Sequence, residues 1–521
     1  MMPVAVGESR GAWRWVVGAT ASLGCLAAAS IHMHLEWTLN ETYHYGWWVP
    51  VLMSYLIWLR WNDRPPAAPA ASPWLPVWVL AALSLIALWI VREANPDWRL
   101  IGLALAALSI LVSLLWLREA GGWPWVRHFA GALAFFALAC PWPTPLELAV
   151  VRPLMTANAV LSLEALHWLG VPAARSGTLV TLPAVTLGVE EACSGIRSLQ
   201  ATLMMAFFLG EMLRLKARER ALLLGTGVVV ALLTNVLRTV FLSTLAAGPS
   251  PDAADRWHDR AGWIALAVHA ATLFALAHAF ARTAGAGADR APLRLRPAPG
   301  HPRWPVAGPA VALAGLAIMG PLTSGWYTHH GTTAAPEWSL RPPESAPRFQ
   351  VTPIPQRTRQ LLRYQGGWSA RWRTPQGHQL HGFFLTWGAG QAPPEILHSH
   401  EPGNCLTLAG MTLVRAHPEP LYMEITPDHA IKFQVLEFSD RGRPLHVFHA
   451  VEETIALRPR HVPVPEGLTR HARLHAAWTG QRNEGLRLIE VGIWNAADVN
   501  EARRVMSNFL NASLLRAAMK H

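Results

Sequence analysis

The sequence predicts a polytopic α-helical membrane domain of about eight or nine transmembrane helices, followed by a C-terminal soluble α+β domain. Hydrophobic residues make up 52% of the chain. Charged residues make up only 15%, against roughly 25% in ordinary soluble domains. Apolar runs recur up to about residue 322, and many of the 26 Trp residues fall near their ends, as in an interfacial belt. From about Ser324, charged residues, His and Pro become more frequent and no run is long enough to cross a bilayer.

The net charge of +11 narrows the choice of partners. In a soluble protein it would suggest nucleic acid, but in a chain this apolar the positive residues are better explained by loops on the cytoplasmic side. We therefore expect a lipid bilayer and no nucleic acid as partner. The four cysteines, Cys25, Cys140, Cys193 and Cys405, are too few for a disulfide framework and form no Cys-x-x-Cys pair. The apolar run Trp13–Ser30 is long and is followed by further runs, so we do not expect a cleavable signal peptide.

The predicted membrane helices follow from the apolar runs, since a helix needs about 20 apolar residues to cross the hydrocarbon core. We predict nine spans, at about 12–31, 46–61, 74–92, 99–117, 124–141, 196–213, 221–246, 261–281 and 304–322. The region 142–192 is ambiguous. Residues 146–169 are apolar enough for a tenth span but carry Glu147, Arg152, Pro153, Glu164 and His167. We therefore expect an interfacial or re-entrant helix there, packed on protein.

Lys and Arg in the short loops indicate the orientation. With the N-terminus inside, the inner segments carry Arg10, Arg14, Arg60, Arg64, Arg118, Arg127, Arg214, Lys216, Arg218, Arg220 and, in 282–303, five further Arg residues. The outer segments carry Arg92, Arg99, Arg152, Arg175, Arg256 and Arg260. This bias places Cys193 and the tail outside. We predict a membrane catalytic domain at 1–282, a cytoplasmic linker with the last transmembrane helix at 283–323, and an outer domain at 324–521.

The tail shows mixed secondary-structure patterns. Strands are predicted at Leu380–Trp387, Ile431–Phe438 and Leu486–Ile493, and an amphipathic helix at Val499–Met519. These elements predict an α+β domain.

The stretch Val189–Ser198 (Val-Glu-Glu-Ala-Cys-Ser-Gly-Ile-Arg-Ser) concentrates reactive groups at the entry to an apolar run. A cysteine is often only a small buried apolar residue, which suits Cys25 within its apolar run but not Cys193 among polar neighbours. The Ser-Gly pair after Cys193 could open a helix near Ile196, whose N-terminal dipole would favour a thiolate. Cys193 is therefore a candidate nucleophile, with a structural cysteine and a nucleophilic Ser194 as alternatives.

Arg238 lies in an otherwise apolar span, where an ionised side chain by default marks a functional site. The alternative is a side chain that reaches the outer interface. Its donors could hold an oxyanion or a carboxylate. His258, in the next outer loop, would mean little alone among 23 His residues, and His269 and His278 should lie deeper in the following span. Cys193, Arg238 and His258 all reach one side of the membrane, which favours a Cys–His pair with an Arg electrophile.

Three motifs occur in this order: Glu191-Ala192-Cys193-Ser194-Gly195, Asn235-x-x-Arg238, and His258 with Gly262 four residues later. Together they resemble the signature of the exosortase/archaeosortase family over roughly residues 10–282. The stretch Tyr43–Pro50 (Tyr-His-Tyr-Gly-Trp-Trp-Val-Pro) is similar to the aromatic-His-Gly entry to that family's second span.

The resemblance implies a membrane-embedded cysteine transpeptidase that cleaves the C-terminal sorting signal of exported, membrane-anchored proteins through a thioester. In bacteria such a signal combines a short motif such as Pro-Glu-Pro, a transmembrane helix and a basic tail. The family's catalytic Cys, Arg and His correspond to Cys193, Arg238 and His258. Substrate-binding or supporting roles would fall to Glu191, Ser194, Gly195 and Asn235. For Glu190 and Glu191 the alternatives are a contact with basic or amide groups of the substrate and simple solvation. No cofactor is expected.

The resemblance also implies a setting: the bacterial inner membrane, with the active site and the tail on the periplasmic side, linked to exopolysaccharide export machinery. The alternative function is a transporter or an assembly scaffold of such a system, with the polar residues lining a path. Transporters are often built from paired broken helices in related halves, and the sequence shows no such symmetry.

The tail resembles the exosortase-associated periplasmic domain, through His400-Glu401-Pro402-Gly403-Asn404-Cys405-Leu406 with Gly410 following. This implies an accessory role for His400 and Cys405. Cys405 is either a second reactive thiol or a structural, half-buried cysteine. A metal site formed with His398 is a further alternative, but we predict no metal because spacing fixes no fourth ligand.

Overall fold

A computed structural model describes residues 9–68, 74–176, 179–182, 186–188, 195–248, 252–283, 305–330, 338–354, 359, 362, 364–388, 401–408, 410–426, 429–440, 442–453, 469–480 and 485–516. The chain divides into two compact units. The first comprises Met1–Trp89 and Arg99–Leu322, and the second comprises Ile90–Trp98 and Thr323–His521.

The first unit is a helical bundle. Its helices are α1 (Ser9–Leu39), α2 (Trp48–Asn62), α3 (Leu75–Ala94, which ends in the second unit), α4 (Arg99–Ala134), α5 (Thr144–Trp168), α6 (Ile196–Met212), α7 (Ala217–Ala247), α8 (Asp252–Thr283) and α9 (Ala307–His329, which also ends in the second unit). Two 3₁₀ helices, Glu41–Trp47 and Phe135–Ala139, precede α2 and follow α4. Three short antiparallel strands, β1 (Ala174–Ser176), β2 (Leu179–Thr181) and β3 (Thr186–Gly188), lie between α5 and α6. The predicted polytopic helical architecture is confirmed.

Seven helical segments of the described chain are long and apolar enough to cross a membrane, whereas the sequence predicted nine spans. The predicted spans 46–61 and 196–213 correspond to α2 and α6, which have only 15 and 17 residues. The predicted spans 99–117 and 124–141 lie in one continuous segment, Arg99–Ala139. The seventh candidate is α5, which the sequence left outside the count.

The segment Arg99–Ala139 is a helical hairpin. Gly122 interrupts it with φ 73° and ψ −170°, a conformation that glycine adopts at little cost. The Sγ atom of Cys140 lies 3.9 Å from the carbonyl oxygen of Gly102, so the two arms run antiparallel. The two predicted helices therefore exist, but they are joined by a single residue rather than a loop.

The α5 helix has the length and composition of a span, and the expected interfacial or re-entrant course stays a prediction. Its packing shows its course: Met155 packs in one cluster with Ala231 of α7, and Leu166, near the end of α5, packs with Val240. The α5 helix therefore runs parallel to α7, alongside its second half, and supports that half from one side.

An ion-pair clasp joins α2, α4, α6 and α7 at one end of the bundle. Its members are Arg60, Asp63, His128, Glu211, Arg214 and Arg220. The Glu211 side chain is only 2% exposed and pairs with both Arg60 and Arg220. A Cβ atom on Gly131 would lie 2.4 Å from Glu211 Oε1, so a glycine lets α4 approach the carboxylate. The clasp fixes the end of α6 against the start of α7.

The α3 and α9 helices lie side by side and run in the same direction. A Cβ atom on Gly308 would meet the Trp78 indole at 2.2 Å, and one on Gly315 would meet the Ala82 side chain at 3.0 Å. Residue numbers rise together along both helices, so both start at the same end. The Trp78 indole there donates to the buried Glu119 carboxylate at 2.8 Å.

The second unit contains a seven-stranded antiparallel sheet. Its strands, in spatial order, are β5 (Gln350–Val351), β6 (Gly366–Arg373), β7 (Gln379–Gly388), β11 (Gly485–Trp494), β10 (Arg443–Glu453), β9 (His429–Asp440) and β8 (Thr412–Thr426). The helices are α10 (Pro402–Leu408), α11 (Arg470–Trp478) and α12 (Val499–Ser513). The three predicted strands lie within β7, β9 and β11, so the α+β class is confirmed.

The core of this unit lies between the sheet and α12, where Met506 and Phe509 pack with Phe433 and Phe448. The predicted helix Val499–Met519 is too long, because residues 514–516 form a strand, β12 (Leu514–Arg516). That strand pairs with β4 (Trp338–Leu340). Pairing with β4 satisfies backbone groups that a longer helix would have satisfied internally.

Candidate active site

The residues Glu190, Glu191, Cys193 and Ser194 lie outside the described residues. The described chain resumes at Gly195, which caps α6 with a φ of 81°. A Cβ atom there would lie 2.9 Å from the Asn235 Cγ atom. Both the backbone conformation and the contact therefore call for glycine. The motif that carries Cys193 thus ends where the start of α6 rests on Asn235 of α7.

Arg238 follows Asn235 by nearly one helical turn on α7, so the two side chains project from neighbouring positions. This part of α7 is tied to α5, since the Asn158 amide donates to the Thr239 hydroxyl at 2.8 Å. The same hydroxyl donates to the Asn235 carbonyl oxygen at 3.0 Å. A rigid helix pair therefore presents Asn235 and Arg238, which is how a precise polar site is best built.

Arg238 and His258 form a direct side-chain pair. The Arg238 Nη2 atom lies 2.9 Å from His258 Nε2 and 3.4 Å from the His258 carbonyl oxygen. Both residues are half-buried. Nearby, Trp257 packs edge-on against Phe241 of α7, with ring centroids 5.8 Å apart. The start of α8 is therefore held against α7 at Arg238.

The Arg238–His258 hydrogen bond fixes the tautomer of the imidazole. A guanidinium only donates, so Nε2 must accept and any ring proton must be on Nδ1. In this arrangement Nε2 presents its lone pair to Arg238 and is not available as a base. The pair can act on a thiol proton only after Arg238 has exchanged this acceptor for another.

His269 lies deeper in α8 and links three helices. It is fully buried, and Nδ1 lies 3.1 Å from Thr202 Oγ1 of α6 while Nε2 lies 2.5 Å from Thr234 Oγ1 of α7. Thr234 is the neighbour of Asn235. Sequence reasoning placed His269 deeper than His258 but assigned it no role. The signal in the sequence was a polar residue inside an apolar span, but its two partners come from other helices.

A second polar cluster surrounds Tyr43. The buried Tyr43 hydroxyl donates to Glu147 Oε1 at 2.8 Å and accepts from the Trp142 backbone N–H at 3.0 Å. Arg99 pairs with the same Glu147 and lies 3.5 Å from a Glu36 oxygen. In the sequence, the stretch Tyr43–Pro50 was notable only for its resemblance to the family's second-span entry, and no contact was predicted for it. In the structure its tyrosine connects the 3₁₀ helix before α2 to the start of α5.

Of the three candidate site residues in the tail, only Cys405 lies among the described residues. His398 and His400 lie outside the described residues. Cys405 lies in α10 and is half-buried, and its backbone N–H donates to the Glu401 carbonyl oxygen at 3.0 Å. A reactive role and a structural role of Cys405 both stay predictions.

Comparison with known proteins bears on the membrane domain. Residues 37–275 match the family model described as transmembrane exosortase. No curated protein and no solved structure matches the chain. The matched range contains Cys193, Asn235, Arg238 and His258, while the tail lies outside it, so its likeness to an exosortase-associated domain remains a prediction. Residues 37–275 of the membrane domain are therefore similar to the transmembrane exosortase family.

Proposed function

We propose that the membrane domain is a cysteine peptidase or transpeptidase that cleaves the C-terminal sorting signal of membrane-anchored exported proteins. One observation carries the proposal. The Arg238–His258 pair lies on the two helices that follow α6, and α6 begins on Asn235, within one turn of Arg238. The family match supports the class of reaction. Cleavage of a Pro-Glu-Pro-type signal, and a link to exopolysaccharide export, rest on the family resemblance.

Chain connectivity limits where Cys193 can act. It precedes Gly195 by two residues, and two extended residues cover at most about 7 Å. Gly195 in turn contacts Asn235. Covalent connectivity alone therefore keeps the Cα atom of Cys193 within about 7 Å of that of Gly195, which supports a Cys–His pair in this part of the bundle.

The reaction begins with an exchange at Arg238. An oxygen of the substrate, either the scissile carbonyl or a neighbouring carboxylate, accepts from the guanidinium in place of His258 Nε2. The freed Nε2 then takes the proton of the Cys193 thiol, and the thiolate sulfur bonds to the scissile carbonyl carbon. Arg238 stabilises the oxyanion that forms, as fixed donors do in other acyl-transfer sites.

The acyl-enzyme forms and resolves through the same imidazole. The protonated His258 gives its proton to the leaving amine nitrogen as the C–N bond breaks, which leaves a thioester on Cys193. A water or an acceptor amine then loses a proton to His258, attacks the thioester carbonyl and releases the thiolate. Hydrolysis gives a peptidase and aminolysis a transpeptidase. Glu191 and Ser194 would contact the substrate near this carbonyl.

The charge of the opposite end of the bundle supports a periplasmic orientation of this site. The ion-pair clasp carries Arg60, Arg214 and Arg220, and the neighbouring segments add Lys216 and Arg218. Under the positive-inside rule this end is cytoplasmic. The Arg238–His258 pair would then face the periplasm of a bacterial inner membrane, where exported substrates emerge.

Cys193→Ala provides the decisive test. In cells that express a reporter with a Pro-Glu-Pro motif, a transmembrane helix and a basic tail, the wild type should cut the reporter and Cys193→Ala should leave it intact. Both variants should reach the same level in the membrane. Cys140→Ala is the matched control, because Cys140 is a buried cysteine next to Gly102 of α4 with no proposed role in the chemistry, and this variant should process the reporter normally. Continued processing by Cys193→Ala would refute the proposal.

The family match does not favour the transporter or scaffold alternative. That alternative makes a different forecast for the same strains: polysaccharide secretion would depend on the protein, while Cys193→Ala would have no effect on it. An impermeant thiol reagent added to intact cells tests the orientation separately. Labelling of Cys193 from outside supports a periplasmic site, and labelling only after permeabilisation excludes it.

A further inference from the structure

The short helix α11 has one covered face and one open face. Arg473 and Ala477 are buried, with 4% and 2% exposure. Leu474 and Trp478 are 51% and 75% exposed. They lie one turn apart and therefore share a face. We propose that this face binds the surface of the lipid bilayer.

The position of α11 supports this assignment, because α11 contacts the end of a candidate membrane span. Trp326 lies near the end of α9, which has the length and hydropathy of a span. Its indole donates to the Ala477 carbonyl oxygen at 3.0 Å, and its ring lies 6.1 Å from the Trp478 ring. The exposed Trp478 therefore lies at the height where α9 would leave the hydrocarbon region.

The other side of α11 rests on the segment that follows a second candidate span, α3. The Asn95 side chain donates to the Arg473 carbonyl oxygen at 3.0 Å, and the Arg473 guanidinium lies 3.5 Å from Asp97. The Tyr327 hydroxyl donates to the Ile90 carbonyl oxygen at 2.7 Å, so the ends of α3 and α9 lie at the same height. Two spans ending together mark the plane of the interface.

The chemistry of α11 matches that plane. Trp and Leu are side chains that enter the boundary between headgroups and acyl chains. Arg470 and His471 are exposed on the same short helix, and His475 is half-exposed, next to where lipid phosphates would lie. A bilayer is favoured over a protein partner because α11 contacts the end of one candidate span and the segment that follows another. Insertion of Leu474 and Trp478 would hold the tail domain against the membrane surface.

A depth measurement on the full-length protein tests the proposal. In a Cys193→Ser/Cys405→Ser background the two remaining cysteines, Cys25 and Cys140, are buried. An environment-sensitive fluorophore is attached at Leu474→Cys, and the protein is reconstituted in nanodiscs of phosphatidylethanolamine and phosphatidylglycerol. The emission should be blue-shifted, and lipids brominated near the glycerol end of the acyl chain should quench it by about twofold. Trp478→Cys should behave in the same way if α11 tolerates the change.

The matched control is Val351→Cys, an exposed apolar position in β5 of the same unit. Its emission should be water-like and unaffected by brominated lipid. Water-like emission at both α11 positions would refute the proposal. A blue shift without quenching would also refute it, because it would mean that protein rather than lipid covers the helix. The result does not depend on catalysis, so it is independent of the proposed function.

Discussion

The two ends of the helical bundle use arginine in opposite ways. In the ion-pair clasp, Arg60 and Arg220 share the buried carboxylate of Glu211. At the other end, the partners of Arg238 among the described residues are an imidazole nitrogen and a backbone carbonyl oxygen. Each arginine of the clasp pairs with a carboxylate, whereas His258 offers Arg238 two neutral acceptors.

The difference separates a structural site from a candidate catalytic one. A guanidinium held by a buried carboxylate is hard to detach, because breaking the pair leaves a charge without compensation. A guanidinium held by a neutral imidazole can exchange that acceptor for a substrate oxygen at smaller cost. The bundle thus has buried ion pairs at one end and a hydrogen bond that a substrate can replace at the other.

The largest expected effect is on catalysis, from Arg238→Lys. Lysine keeps the charge but lacks the planar donors that can hold an oxyanion while contacting a neighbour. We expect reporter processing to slow by about 10²- to 10³-fold, as when a donor is removed from an oxyanion site. The measurement is the first-order rate of cleavage at equal enzyme level. Arg60→Lys in the clasp is the control and should keep the rate. Equal rates for Arg238→Lys and the wild type would show that the two ends do not differ as argued.

The converse effect is expected in the clasp, from Glu211→Gln. The change leaves two arginines without their shared carboxylate, and losing one partner of a buried pair costs about 3 kcal/mol. The free energy of unfolding in micelles should fall by that amount, while the cleavage rate of the folded fraction stays the same. Asp63→Asn removes a more exposed pair with Arg214 and should cost less than about 1 kcal/mol. A loss of rate without a loss of stability would place Glu211 in the catalytic machinery.

Sequence patterns were sufficient for the existence of the helices and for the neighbouring positions of Asn235 and Arg238 on α7. Hydropathy locates apolar runs, and the spacing of Asn235 and Arg238 on a helix follows from its period. The position of α5 in the bundle could not be predicted, because length and composition say nothing about which part of α7 it packs against. The helix predicted at Val499–Met519 was too long because periodicity does not show that residues 514–516 pair with β4.

The contacts that hold the helices around the site could not be predicted from the sequence, for a related reason. His269 contacts Thr202 and Thr234, which lie 67 and 35 positions away. A single polar residue in an apolar run gives no indication of partners on other helices. The same holds for Tyr43 and Glu147, which lie 104 positions apart. Such contacts depend on how helices pack rather than on any local pattern.

A smaller effect is expected from His269→Leu. Both threonine hydroxyls also donate to carbonyl oxygens of their own helices, so they stay satisfied when the ring is lost. The loss should instead loosen α8, which carries His258, relative to α7. We expect the turnover number to fall about tenfold with little change in KM, because a misplacement of about 1 Å can cost up to about a hundredfold. His269→Gln should recover part of the rate. His278→Leu, whose ring bonds only within α8 among the described residues, should match the wild type.

The smallest effect tests, in the tail, whether an arginine beside an imidazole keeps it neutral. His381 of β7 lies directly opposite Arg371 of β6. Burial, together with Arg371, lowers the pKa of His381 from 6.5 to about 4, against a weaker opposing effect of Glu490. The unfolded chain therefore binds a proton at a higher pH than the folded one. The stabilisation is complete above about pH 6.5 and is lost as the pH falls towards about 4.

His381→Gln should reduce this loss of tail stability at acid pH by on the order of 1 kcal/mol after solvent screening. Hydrogen exchange of the tail in the full-length protein measures this pH dependence of stability. The control is His471→Gln, at an exposed histidine. An unchanged acid limb in His381→Gln would mean that Arg371 and burial do not hold the imidazole neutral.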